Sequence, residues 1–165
     1  LQENVGQGRA SNAGLCRCSQ PWIARMDSDD ISAPLRLLHQ WKALEADPEL
    51  DVVFCWQGEF KDDPSRLTAI KKAPPSHNKI RKALRWRNII GHPTLLIRKH
   101  FLDRIGGYAD LRILEDYDLC MRLLHVGARF HCVQEPLVLV RVLPEQRARR
   151  SGWTYAKKEW EVRWR

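Results

Sequence analysis

The chain is expected to fold as an α/β domain, a mixed sheet flanked by helices. Three observations carry that expectation. Short apolar runs of strand length, such as residues 22–26 and 51–56, alternate with longer segments whose apolar residues recur at helical spacing. Proline and glycine stand at many of the junctions. The first apolar run, Trp22-Ile23-Ala24-Arg25-Met26, ends in the acidic cluster Asp27-Ser28-Asp29-Asp30, the pattern of a strand that delivers acids to one edge of a sheet.

The elements follow in order. Gly6 and Gly8 mark a loop entering a helix near residues 10–15, and such a loop either presents backbone N–H groups to a phosphate or is a plain turn. Gln7 and Ser11 stand where apolar side chains would pack more simply. Pro21 opens the first strand, over 22–26. Ser32 as N-cap and Pro34 in the first turn start a helix carrying Leu37, Leu38, Trp41 and Leu44 on its apolar face, and Asp47-Pro48 ends it. Residues 51–56 read as a buried strand. Ser76 caps a second helix through Ile80, Ala83, Leu84 and Trp86, with a basic outer face. A strand over 95–97 and a short helix over 101–105 come next, the latter stopped by Gly106-Gly107. After an irregular stretch over 108–114, Glu115-Asp116 opens a third helix with Tyr117, Cys120, Met121 and Leu124 as its stripe and Gly127 as its stop. Residues 129–133 and 137–142 read as two further strands. The span 145–151 is charged. Residues 153–164 read as a Lys/Arg-rich helix with an aromatic stripe of Trp153, Ala156, Trp160 and Trp164.

The totals narrow the function. With 165 residues, 44% of them apolar and seven Trp, the chain can build one domain with a real core. No apolar run approaches the ~20 residues of a membrane span, and no signal peptide is expected at the start. The net charge of +8 suits nucleic acid, an anionic membrane face or a phosphorylated substrate. Basic residues crowd the second half while acids gather at two places, which favours a polyanion-facing protein with specific acidic spots. No RNA or DNA motif is present, so nucleic acid is not an expected partner. The five Cys are odd in number and lack a C-x-x-C, neither a disulfide framework nor a zinc spacing; reduced thiols in a cytosolic protein are expected.

Asp27 and Asp29 lie two apart around a small Ser28. That spacing lets both carboxylates approach one hard cation such as Mg²⁺, which water and substrate phosphates commonly complete. The alternative is an acidic turn in which Asp29 or Asp30 caps the next helix.

The strand-terminal D-x-D, the downstream Gly106-Gly107-Tyr108 and the Glu115-Asp116 helix start together resemble the family 2 glycosyltransferases of the GT-A fold, close to the bacterial branch that builds surface polysaccharides. The likeness runs from Asn4 to about Gly152. It rests on Asn4-x-Gly6-x-Gly8-x-Ala10-x-Asn12-x-Gly14-Leu15, on Ile23 to Ser32 with Pro34, on Arg87-Asn88 with His92-Pro93-Thr94, on Gly106-Gly107-Tyr108, and on Glu115-Asp116-Tyr117-Asp118-Leu119. Arg149-Arg150 falls where that branch often carries paired arginines.

The resemblance implies a GT-A-like (Rossmann-like) mixed sheet flanked by helices. It also implies metal-dependent, inverting transfer of a hexose from a nucleotide diphosphate sugar to a saccharide or lipid-linked acceptor hydroxyl. Asp27 and Asp29 would hold Mg²⁺ or Mn²⁺, which neutralises the departing diphosphate. Asp30 would cap or brace the loop. Asp116 is the expected base; Glu115 is the alternative base or orients the acceptor. Asn12 and Arg9 are expected to face the donor, and Arg149 and Arg150 to clamp its phosphates. His92 and Tyr108 are expected at the substrate. Strands that cradle the nucleobase in the family have no counterpart here, so the chain reads as N-terminally truncated by roughly 50–60 residues, about two βα repeats, with an exposed sheet edge. Residues 1–150 would form the partial catalytic domain and 151–165 a basic, Trp-rich helix. The expected place is the cytoplasm, with peripheral contact on the inner face of the plasma membrane. The competing reading is an inactive remnant acting as a basic membrane-surface module, motivated by the charge and the Trp/Arg tail.

Overall fold

A computed structural model describes residues 5–142 and 153–163, the side chains of 154–156 and 163 excepted. Helix α1 (Gln7–Leu15) leads to strands β1 (Trp22–Ala24) and β2 (Ile31–Ser32). Helix α2 (Arg36–Ala46), strands β3 (Val52–Phe60) and β4 (Ala69–Lys71), and helix α3 (His77–Leu84) follow. A 3-10 turn (His92–Thr94) enters β5 (Leu96–Arg98). Then come α4 (Lys99–Arg104), α5 (Glu115–His125), β6 (Phe130–Arg141) and α6 (Trp153–Arg163).

The sheet runs β1-β5-β3-β6-β2, with β4 added to β3. β3 and β6 are parallel, and the other pairings are antiparallel. These directions bring the carboxyl ends of β1, β3 and β6 to one margin, together with the turn before β5. Residues 25–30 leave β1 at one edge of the sheet and reach β2 at the other. Four strand spacings are about 19 Å, and seven residue steps span at most about 25 Å. The acidic segment is long enough to cross the carboxyl margin, and it turns on the way, the Asp30 N–H bonding the Asp27 carbonyl at 3.4 Å.

The core forms on both faces of β3, as expected of a continuous apolar run. Val52 and Phe54 pack with Ile80 and Leu84 of α3 and with Tyr117, Leu119 and Leu123 of α5. Val53 packs on the other face with Leu44, Leu50 and Leu96. Each such side chain contributes about 1.5–3 kcal/mol by leaving water.

Three expectations are corrected. The two strands expected over 129–133 and 137–142 are one, β6, whose register against β3 shifts around Trp56, the partner of Pro136. A proline has no N–H for the ladder, so the strand bulges there instead of ending. Ser32 does not cap α2: it lies in β2 opposite Val138, and α2 starts at Arg36 without a side-chain cap. The face of α2 is also turned, so that of the expected stripe only Leu44 is buried. Arg36, Gln40 and Leu44 are buried, whereas Leu37, Leu38 and Trp41 are exposed, Trp41 by 46%.

On α6, Trp153 and Trp160 point outward while Val162 joins the core. Cys55, Cys120 and Cys132 are buried, and all five cysteines are free. No helix among the described residues is long and apolar enough to cross a membrane.

Candidate active site

A cleft of about 510 Å³ opens at the carboxyl margin of the sheet, lined by Asp27 from the acidic segment and by Glu115 and Asp116 from the start of α5. The two acidic groups, distant in sequence, thus share one cavity. β3 and β4 contribute Gln57, Glu59 and Lys71, the latter facing Gln57 in the ladder. Arg87 and Asn88 follow α3, His92 belongs to the 3-10 turn, and Glu159 comes from α6.

The acidic segment is anchored at both ends. Asp27 forms an ion pair with Arg25. Asp30 accepts the Arg141 N–H at 3.2 Å, which ties the segment to the end of β6. Asp30 thus braces the loop. Burial, with Asp27 and Asp29 adding to it, pushes its carboxyl up to about 6. Its Oδ2 is buried with no hydrogen-bond partner. Asp29 is exposed and is not among the residues lining the cleft.

The other acidic group is held by a different set of contacts. Leu114 precedes α5 with φ +65°, the only non-glycine residue in the left-handed region among the described residues. That conformation costs on the order of 1–3 kcal/mol and persists where surroundings over-determine it. Leu114 ends the irregular stretch and delivers Glu115 and Asp116 to the cleft. Asp116 Oδ2 accepts from the Asn88 amide at 2.9 Å, and Oδ1 from the Tyr117 N–H at 2.8 Å. Glu115 is 8% exposed. The Gln7 amide, oriented as its neighbours require, donates to Glu115 Oε1 at 2.9 Å and accepts from Arg25 at 2.5 Å. One polar chain, Asp27–Arg25–Gln7–Glu115, therefore links the two acidic groups.

His92 is buried and its Nε2 lies 2.9 Å from the Tyr108 hydroxyl. His92 reaches the cleft, whereas Tyr108 is not among its lining residues. Burial raises the Tyr108 phenol well above its ordinary value, so it is the neutral hydroxyl that meets the imidazole. Asn12 bonds the Tyr108 backbone in both senses, Nδ2 to the carbonyl and Oδ1 from the N–H, each at 2.8 Å. Its amide holds the Gly106-Gly107-Tyr108 turn. Gly107 has φ +72°, and a Cβ there would stand 2.4 Å from Asn12 Oδ1, so the turn needs a glycine. Arg9 is exposed and pairs with Asp110. Neither Asn12 nor Arg9 lines the cleft. Arg149 and Arg150 lie outside the described residues.

Several site residues were not singled out by sequence. Gln57, Glu59 and Lys71 sit on β3 beyond 56 and on β4, a stretch without the apolar alternation that marks a strand. Gly91 could have hinted at Gln57: a Cβ there would fall 2.3 Å from Gln57 Oε1. Arg122 binds the 3%-exposed Asp118 at 2.7 Å and donates to the carbonyls of Ile105 and Gly107, clamping the glycine turn onto α5. Its i, i+4 spacing from Asp118 was the available signal.

No three ligating side chains converge among the described residues. A Mg²⁺- or Mn²⁺-type ion does not need them, since one or two carboxylates with water and phosphate suffice. The residues 27–30 fit such an ion chemically: their carboxylates are hard oxygens, and Asp30, raised chiefly by burial and then by Asp27 and Asp29, keeps a buried oxygen without a partner.

The sequence profile of glycosyl transferase family 2 matches residues 1–106. The chain is 34% identical over 159 residues to the amylovoran biosynthesis glycosyltransferase AmsE of Erwinia amylovora, covering 96% of this chain and 59% of that protein. It is 33% identical over 159 residues to a UDP-Gal:alpha-D-GlcNAc-diphosphoundecaprenol beta-1,3-galactosyltransferase of Escherichia coli, covering 96% and 58%. The chain thus spans about three-fifths of the length of these curated relatives. Among solved structures, S. aureus TarS 1-349 in complex with UDP-GlcNAc superposes with a TM-score of 0.65 at 15% identity, covering 96% of this chain and 45% of that one. The mannosyltransferase PcManGT of Pyrobaculum calidifontis, with GDP-Man and Mn²⁺, gives 0.58 at 17% identity, covering 95% and 48%. At these identities the likeness establishes the fold, GT-A.

Proposed function

We propose, on the footing that this chain belongs to glycosyl transferase family 2, that its cleft serves transfer of a sugar from a nucleotide diphosphate donor to an acceptor hydroxyl in the building of a cell-surface polysaccharide. The observation that carries the reading is that Asp27 and Asp116 line one cavity. At about 510 Å³ it has the volume of a small-molecule site. The names of relatives support the substrate class: amylovoran biosynthesis for one, a diphosphoundecaprenol-linked sugar for another. Nucleotide-sugar complexes of the structural neighbours support the donor.

Asp116 takes the proton of the attacking hydroxyl. Asn88 fixes one of its oxygens and the Tyr117 N–H the other, so the carboxylate keeps a single orientation toward the cleft. Glu115, held by Gln7, orients the acceptor. Lys71 and Arg87 supply positive charge for the diphosphate. His92 contacts substrate, and Tyr108 behind it fixes the ring. Asp27 from the cleft wall, and Asp29 from outside it through water, would hold a divalent cation, which when bound supplies Lewis-acid neutralisation of the leaving diphosphate. Direct attack by the hydroxyl that Asp116 deprotonates breaks the bond to the diphosphate from the opposite face and inverts the anomeric carbon. A lipid-linked acceptor would bring the protein to the inner face of the plasma membrane.

The test measures nucleoside diphosphate release by the natural gene product over a panel of nucleotide sugars, with Mn²⁺ and with EDTA. Turnover is expected only with the metal. Asp116→Asn is expected to lower kcat by about 10²–10⁴-fold, and Asp29→Ala to abolish turnover. Full activity in EDTA overturns the metal assignment.

The outward Trp153 and Trp160 on α6, beside exposed Lys157 and Lys158, favour a second reading as a membrane-surface module. Liposome flotation with and without residues 151–165 decides it. Flotation that persists without them removes the helix from that role.

A further inference from the structure

The buried polar face of α2 has no part in the chemistry above, yet it lies directly behind it. Arg36 is 2% exposed, and no carboxylate pairs with it among the described residues. Its partners are neutral. Nη2 donates to the Arg25 carbonyl at 2.9 Å and the Leu95 carbonyl at 3.3 Å, Nε donates to Gln40 Oε1 at 3.1 Å, and Nη1 lies 3.3 Å from Met26 Sδ. Gln40, fully buried, donates through Nε2 to the carbonyls of Val53 at 2.9 Å and Thr94 at 2.8 Å.

A cation taken out of water without a counter-charge is costly, and here burial lowers the Arg36 pKa from its ordinary value. An apolar side chain of the same bulk would fill that space without the desolvation. What the guanidinium adds is a rigid planar fork, one arm of which, Nη2, donates to both carbonyls and holds them together. Those carbonyls mark a specific place. Arg25 is the last residue before Met26 and Asp27, and its own N–H already bonds the Leu95 carbonyl at 2.9 Å. Leu95 follows the turn that carries His92.

We propose that Arg36 is a positioning residue for the D-x-D segment: its buried fork fixes the point where the chain leaves β1 toward Asp27 and locks that point to the backbone between His92 and β5. Gln40 extends the lock to β3. Arg36 then holds the span from Arg25 to Asp30 at its start, adding to the Arg25–Asp27 ion pair, and the Arg141 N–H holds it at its end. Loss of the Arg36 fork lets Asp27 drift within the cleft while the core stays packed.

The test uses Arg36→Met, which keeps bulk and removes the fork, and Arg36→Lys, which keeps charge and removes it, in the natural gene product. Hydrogen exchange is followed by mass spectrometry in a peptide covering residues 25–30 and in a control peptide from β3. For Arg36→Met the account expects exchange in 25–30 to rise at least tenfold with the β3 peptide unchanged. Arg36→Lys should show the same pattern more weakly, and it decides the matter if Arg36→Met does not fold. Unchanged exchange in 25–30, or an equal rise in both peptides, overturns the proposal. A second readout rests on the sugar-transfer reading: kcat should fall by about 10²-fold, the scale of a small misplacement, with acceptor KM unchanged. If the wild-type protein turns over no nucleotide sugar, that reading falls, and the exchange result still decides the role of Arg36.

Discussion

Gln7 stands in the first turn of α1, where an apolar side chain would pack more simply, and it is polar because of what it joins. Its amide bridges Arg25 and Glu115, so a side chain that looks like imperfect packing in sequence holds two halves of a site together. Nothing in the local pattern carries that information, because both partners are remote in sequence. The residues that were legible, Asp27, Asp116 and His92, sit in short motifs whose chemistry is local. Asn12 was legible as a site residue, but the structure spends its amide on the Tyr108 backbone. The same distinction yields two predictions. Asn88→Ala removes one hydrogen bond to the Asp116 carboxylate and should lower kcat about 10- to 100-fold, the size of one bond to a charged group at about 1.5–3 kcal/mol, with KM for donor little changed. Steady-state kinetics on the natural gene product checks it. Asp118→Asn should lower stability by about 1.5–3 kcal/mol, the range for a hydrogen bond to a charged group, because the buried carboxylate binds Arg122. Urea unfolding measures that, and an unchanged midpoint would remove the clamp from the account.

Among the elements, α2 lies where its periodicity places it but starts later, and only Leu44 of its apolar stripe faces inward. Its leucines and tryptophan recur at helical spacing, but the sheet margin beneath it presents carbonyls of Arg25, Val53, Thr94 and Leu95 that need donors. Hydrogen-bond demand, invisible to a hydrophobic pattern, turned the helix. By contrast α5 was legible to its ends: acids in the first turn, a periodic apolar stripe, and Gly127 with φ +88° after it. At α3, His77 Nδ1 accepts the Phe130 N–H at 3.2 Å, which pins the helix start to β6. Burial, with Arg81 and Arg129 nearby, holds the ring's pKa below 6.5. Protonation would fill the accepting nitrogen. The folded state therefore binds this proton less readily than the unfolded chain, so the contribution is present above pH 6.5 and is lost as pH falls through the lowered folded value. His77→Gln should flatten that loss between pH 7.5 and 5, measured by thermal unfolding.

At the scale of the whole molecule, the sheet order leaves β1 at an edge, beside an outer face of α2 that exposes Leu35, Leu37, Leu38 and Trp41. An unpaired edge next to apolar surface invites association. Residues 1–165 should self-associate with rising concentration in sedimentation velocity, and Trp41→Lys should reduce it; a monomer at every concentration would contradict this. The succession β1, α2, β3, α3, β5, α4, α5 along the chain was legible because strand-length runs and helical periodicity are local signals, whereas the short β2 and β4 and the unbroken β6 were not. The path of residues 25–30 across the sheet margin was not, since it depends on β2 pairing with the far end of β6. That path is what brings Asp27 to the cavity of Asp116. The most direct test is a crystal of the natural gene product grown with Mn²⁺ and a nucleoside diphosphate, with the metal located by anomalous scattering. The account predicts a peak in the cleft, at the carboxylate of Asp27, with the diphosphate between it and Asp116. A metal–nucleotide complex bound elsewhere, with this cleft filled only by water, would contradict it.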